Sequence, residues 1–169
     1  MTTTARLPRA AQANRGRNLE ELLQWQHNTY ASFARAFVWK VATPVTMLRR
    51  DGAIVGAKPT GTATADFLGV VRDGRGIAVE AKEIAGNHFP WSRIQPQQRE
   101  CLDAYDRMNG VAAVVLWWTD HDERWALHWS LCKWWMERGK SLQWSEFHAY
   151  RIGVGVGPAD YLRTLDVTE

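Results

Sequence analysis

The residues Phe67 to Lys82, FLGVVRDGRGIAVEAK, set the strongest constraint on how this chain folds. Two runs of apolar, largely β-branched residues flank Arg72-Asp73-Gly74, and a type I turn closed by a left-handed glycine joins such runs into an antiparallel hairpin. With a three-residue loop, Val71 faces Arg75, and counting outward sets Asp66 opposite Glu80. A two-residue Asp73-Gly74 loop would instead oppose Asp66 to Ala81, so the register decides whether the two acids share a face. Side chains alternate along a strand, which brings Lys82 out beside Glu80.

Directly opposed residues have Cβ atoms roughly 4.5–5.5 Å apart. Two carboxylates at that separation repel, and burial raises the cost. A divalent cation removes it, and an all-oxygen donor set favours Mg2+ or Mn2+ over zinc. With such an ion on Asp66 and Glu80, Lys82 would orient or deprotonate a water while charge building on a phosphate is stabilised, which is the chemistry of phosphodiester hydrolysis. The same spacing also describes a hairpin with an ordinary surface ion pair, worth about 0–1 kcal/mol. The apolar neighbours of Glu80 in AVEAK favour the buried site, because a solvated ion pair needs none.

Around this hairpin the pattern reads as one α/β (α+β) domain over residues 15–169, preceded by a small, polar, basic arm over residues 1–14. Asn18 fits a helix N-cap, with Glu20 and Glu21 in the first turn and an apolar stripe running to about Ala36. Phe37 to Thr43 reads as a strand closed by Pro44. Pro44 to Gly61 alternates about an Asp51-Gly52 turn and predicts a short projecting hairpin bearing Arg49, Arg50 and Lys58. After the central hairpin come a loop, GNHFPWSRIQP, and a helix from about Gln97 to Asn109. Val111 to Trp118 has the length and composition of a buried strand, and Arg124 to Trp129 is its antiparallel partner. Helical pieces are expected around Arg138-Gly139-Lys140 and from Pro158 to Leu165. The order α-β-β-β-α-β-β-α implies a mixed sheet flanked by helices.

Composition excludes more than it assigns. No apolar run reaches the roughly 18 residues of a membrane span, and the N-terminus lacks the apolar core of a secretory signal, so a cytoplasmic address without membrane contact is expected. Cys101 and Cys132 have neither disulfide nor zinc spacing and read as core thiols. The net charge is only +3, yet Arg6, Arg9, Arg15 and Arg17 cluster, a mild sign of a polyanionic partner. Most of the ten tryptophans lie between Trp117 and Trp144 and read as packing. His88 reads as a bystander of its loop; His121, Asp122 and Glu123 read as a solvated turn, and Glu21 and Glu83 as surface charges.

The segment Asn14-Arg15-Gly16-Arg17-Asn18-Leu19-Glu20-Glu21, the pair Thr64-Ala65-Asp66 and Glu80-Ala81-Lys82, then Phe89-Pro90 and Gln97-Gln98 resemble the RecU-type Holliday-junction resolvases of the PD-(D/E)xK nuclease superfamily. The resemblance runs from about Asn14 to Leu165 and implies a restriction-endonuclease-like core. It implies that Asp66 and Glu80 are metal ligands, that Lys82 sits beside the attacking water, and that Glu20 is a further acid of the metal site. Gln98 would support the site from its helix and Thr64 would lie next to the metal-binding acid. Arg15, Arg17, Arg49, Arg50 and Lys58 would contact DNA. The family is dimeric and inserts a stalk into the centre of a four-way junction, and Pro44 to Gly61 stands in the matching place. This stalk is shorter than the family's, and Ala65 replaces a second threonine; both departures bear on junction selectivity more than on cutting. The implied function is Mg2+-dependent, paired symmetric cleavage of four-way junction DNA by a homodimer with no organic cofactor. A different branched-DNA or restriction-like nuclease, or a junction-binding factor that does not cut, remains open.

Overall fold

The structure is a computed structural model of the 169-residue chain and describes residues 15–60, 64–139, 141–146, 150–152 and 159–167. The basic arm with Arg6 and Arg9, the stalk boundary at Gly61, Lys140 and the glycine-rich stretch after Ile152 lie outside the described residues. Helix α1 (Arg15–Ser32) leads into β1 (Ala36–Lys40), the hairpin β2 (Val45–Arg50) and β3 (Ala53–Pro59), and the hairpin β4 (Phe67–Val71) and β5 (Gly76–Ile84). There follow β6 (His88–Phe89), a 3-10 turn (Trp91–Arg93), α2 (Pro96–Arg107), β7 (Val111–Trp118), β8 (Glu123–His128), α3 (Trp129–Glu137), β9 (Leu142–Gln143), a second 3-10 turn (Trp144–Glu146) and α4 (Tyr161–Thr164).

Five strands form one mixed sheet in the order β1-β4-β5-β7-β8. Strands β5 and β7 run parallel, with α2 as the crossover that parallel neighbours need, and the other pairs are antiparallel. The period-2 alternation of each strand sends its side chains into two separate cores. On one face Phe67, Ile77, Val79, Ala113 and Val115 pack against Leu19, Leu23 and Tyr30 of α1 and against Ala159 to Leu165. On the other, Ala78, Val114, Leu116 and Trp125 pack against Leu102 of α2 and Cys132 of α3. Strand β7 is covered on both sides, which is why an unbroken apolar run was needed there. Gly69 lets β1 approach: a Cβ at this position would lie 2.1 Å from the Phe37 carbonyl oxygen.

The first helix departs from its expected bounds. It begins at Arg15, so Asn18 is not its cap and Glu20 and Glu21 are not in its first turn; it ends at Ser32, where Ala34 turns the chain at φ +51°. A buried polar network ties this helix to the last described segment. Tyr30 donates to Asp160 Oδ1 at 2.9 Å and accepts from the Leu162 N–H at 3.1 Å, and Arg35 Nη1 reaches both Asp160 oxygens at 3.1 and 3.0 Å. Gln26 Oε1 accepts from the Ala159 N–H at 3.2 Å, and His27 Nε2 lies 2.9 Å from the Tyr161 hydroxyl. Burial lowers the His27 pKa to about 4, so its ring is neutral. Of the tryptophans, Trp118, Trp125 and Trp129 are core residues, whereas Trp25, Trp39 and Trp134 are exposed.

Candidate active site

The β4–β5 register is that of the three-residue loop. Val71 N–H donates to Arg75 O at 2.9 Å, Gly74 sits at φ +89°, and Phe67 pairs with Val79, so Asp66 and Glu80 are the next facing positions. There the two strands part. The Asp66 carbonyl accepts from Val41 N–H at 2.8 Å, and its Oδ2 accepts from Ala81 N–H at 2.8 Å, in place of the carbonyl that a longer β4 would have offered. Beyond this point β5 is paired only on its β7 side among the described residues. Asp66 therefore ends a ladder and opens an edge at the same time.

Glu80 is fully buried on the face that carries Ala78. Its Oε1 accepts from Lys82 Nζ, and its Oε2 has no partner among the described residues. Burial, reinforced by the charge of Asp66 and opposed by Lys82, pushes its pKa up to about 7. A buried polar oxygen without a partner costs about 1–3 kcal/mol inside a protein, and here it lies beside a second carboxylate. Two hard oxygen donors with a spare buried acceptor fit a cation of the Mg2+ kind.

Glu20 does not complete a triad of acids. It rises from α1, which covers the opposite face of the sheet, and pairs with Lys40 of β1. No group of three His, Cys, Asp or Glu side chains able to hold an ion occurs among the described residues. Glu20 instead lines a cleft of about 230 Å3 with Leu19, Ala81, Lys82, Glu83 and Arg93, at the open edge of β5. Glu83 is not a surface charge: it is half-buried, and its Oε1 accepts from Leu19 N–H at 3.2 Å, fastening α1 to the strand that carries Lys82.

Gln98 is buried at 3% exposure, and its Oε1 accepts from Gln95 N–H at 2.9 Å, so its carbonyl oxygen serves the capping box of α2 rather than the acids. Thr64 is exposed and pairs with the Cys101 thiol, which feels the charge of Glu80 and whose pKa is raised first by burial. Cys132 is a core thiol as expected, but Cys101 is half-buried at the edge of the site. Arg49, Arg50 and Lys58 are exposed on the β2–β3 hairpin and form no ion pair among the described residues. The backbone of Arg15 and Arg17 opens α1, and their side chains lie outside the description. His88 is exposed. Glu123 is not a solvated turn: at 8% exposure it accepts from the indoles of Trp125 and Trp144 at 3.3 and 3.0 Å and pairs with Arg151. Arg93, on the turn before α2, is the cleft residue that sequence reading missed; only its place between Phe89-Pro90 and Gln97-Gln98 pointed to it.

A mixed sheet that parts at an aspartate, with a buried glutamate facing it and a lysine two residues further on, is the arrangement that the resemblance to the PD-(D/E)xK class of endonucleases implies. Within that class the relatives are specific. A model of the family described as Recombination protein U matches residues 14–167, and the chain belongs to this RecU family. It is 32% identical to the Holliday junction resolvase RecU of Geobacillus kaustophilus over 96% of its own length and 88% of that protein's. It is 30% identical to the Holliday junction resolvase RecU of Bacillus thuringiensis over 91% and 84%, and 29% identical to that of Streptococcus oralis over 68% and 61%. Among the described residues no helix is long and apolar enough to cross a membrane.

Proposed function

We propose that the protein resolves four-way DNA junctions as a homodimer, nicking two opposed strands symmetrically in a reaction that requires Mg2+, with Mn2+ as a substitute. The observation that carries this reading is Glu80: buried, facing Asp66, holding Lys82 with one oxygen and left without a partner on the other. Asp66 and Glu80 would hold the ion, which when bound supplies a Lewis acid for the phosphate and a water of lowered pKa. Lys82 Nζ is oriented by Glu80 Oε1 and is 18% exposed at the floor of the cleft, so its remaining hydrogens are free for the attacking water or a non-bridging phosphate oxygen. Asp66 is kept in place by the Ala81 N–H, and Glu20, paired with Lys40, forms the far wall. Thr64 and Gln98 support the site from the approach to β4 and the start of α2.

Two features support junction selectivity. The β2–β3 hairpin projects Arg49, Arg50 and Lys58 together with exposed Met47, Leu48, Ile54 and Val55, a mixture suited to phosphates and unstacked bases at a branch point. The edge strand β1 and its neighbourhood expose Phe33, Phe37, Trp39 and Val70 at 62%, 61%, 48% and 40%, an apolar patch that favours a second copy. Two copies related by a two-fold axis would present two clefts to a substrate of the same symmetry. Arg15 and Arg17, with the arm before them, would add phosphate contacts. The test is to compare cutting of a synthetic four-way junction, a fork and linear duplex with Mg2+ or with EDTA. Paired symmetric nicks in the junction alone, lost in EDTA, are expected; equal cutting of linear duplex, or no cutting, overturns the reading.

A further inference from the structure

We infer that Arg93 grips a phosphate of the cleaved strand, one that lies beside the attacked phosphodiester. This rests on the nuclease reading above and adds to it a residue that faces the substrate. The argument begins with charge. Glu20 and Glu83 line the cleft beside Lys82, so a DNA backbone entering it meets two carboxylates. The nearby cations are mostly committed, Lys40 to Glu20 and Lys82 to Glu80. Arg93 lines the same cleft, is exposed, and has no ion pair among the described residues.

The guanidinium is also held in position. Arg93 ends the 3-10 turn Trp91–Arg93, between two anchors buried at 7% (Trp91) and 0% (Ile94) exposure. Arg99 clamps this turn from α2, donating from Nε to Ile94 O at 2.8 Å and from Nη2 to Trp91 O at 2.7 Å. The Gln95–Gln98 capping box fixes the start of the helix behind it. The Arg93 guanidinium lies over the Phe89 ring, Cζ 5.7 Å from its centroid, which steadies the fork beside the cleft that Arg93 lines. A rigid, uncommitted fork among acids suits bidentate capture of a phosphate better than a flexible ammonium would.

The experiment uses the full chain as wild type, Arg93→Gln and Arg93→Lys. Binding to a four-way junction and to linear duplex is measured in EDTA from about 50 to 300 mM KCl, and each phosphate flanking the cut is replaced in turn by a neutral methylphosphonate. Losing one phosphate contact should lower the slope of log affinity against log salt by about 0.9 in Arg93→Gln, with affinity falling about tenfold. Arg93→Lys should keep the slope and recover only part of the affinity. Neutralising one particular phosphate should weaken wild type about tenfold and leave Arg93→Gln unchanged, a coupling that a purely structural role would not give. An unaltered slope in Arg93→Gln, with no phosphate coupled to position 93, overturns the inference. Wild-type behaviour reports separately on the functional reading: a chain that binds no DNA ends both, and one that cuts junctions while residue 93 is silent ends this inference alone.

Discussion

The hairpins β4–β5 and β2–β3 are each closed by an Asp-Gly turn, yet one is the centre of the molecule and the other projects from it. In β4–β5 the turn places Gly74 at φ +89°, and Phe67, Ile77, Ala78 and Val79 are at 0% exposure. In β2–β3 the turn places Asp51 at φ +51° and Gly52 at +81°, as a type I′ turn requires, and every side chain of β2 is exposed. An isolated two-stranded hairpin is marginal in water. The comparison teaches that local turn chemistry suffices to make a hairpin, while the neighbours decide whether it becomes a scaffold for buried acids or a probe with apolar and cationic side chains facing outward.

The sharpest test of this division is at the acids. Asp66→Asn should lower the single-turnover nicking rate by a factor on the order of 10^3 to 10^4, since one carboxylate of the pair proposed to hold the ion is lost. Junction binding in EDTA should survive, because the mutation relieves repulsion; loss of binding would make Asp66 a folding residue. Next in size, Phe67→Ala should cost about 3–5 kcal/mol in urea unfolding, whereas Ile54→Ala on the projecting hairpin should stay within about 0.5 kcal/mol. Equal losses would erase the distinction between the two hairpins.

The buried acid predicts an unusual pH dependence. Its folded pKa, pushed up to about 7, exceeds the unfolded value of 4.5. Between those values the folded state binds the extra proton, so the metal-free protein loses stability as pH rises through that window. The loss attributable to Glu80 is on the order of 3 kcal/mol, and Glu80→Gln should remove it. Urea midpoints in EDTA at acidic and alkaline pH measure this; identical slopes for wild type and variant would contradict a buried carboxyl of raised pKa. Smallest in energy is removal of the projecting hairpin. Replacing residues 45–59 by a short glycine linker should leave the melting temperature near wild type and lower the preference for junction over linear duplex about tenfold, roughly 1.4 kcal/mol. An unchanged preference would leave the exposed hairpin without a role in selection.

What was legible in the sequence was what depends on nearby residues. The Arg72-Asp73-Gly74 turn determined the register that sets Asp66 against Glu80, and the run Val111 to Trp118 matched its strand to the residue. The projecting hairpin followed from Asp51-Gly52 in the same way. What escaped depends on partners far along the chain. Glu20 finds Lys40 on another element, Glu83 is needed by a helix sixty-four residues earlier, and Glu123 is buried by indoles that no local pattern pairs with it. The resemblance implies that Gln98 supports the site from its helix, and its oxygen also serves a local need, the helix cap. Arg93 carries no motif of its own and acquires meaning only from the cleft around it.

The polar network that joins α1 to residues 159–162 has a consequence for the order of folding. The bonds of the helix bearing Glu20 to Ala159, Asp160, Tyr161 and Leu162 span 130 to 134 positions of sequence. Contacts of such separation form late. The inner strands can thus assemble while the wall of the cleft stays loose, and the cleft takes its final form only when residues 159–162 have docked on α1.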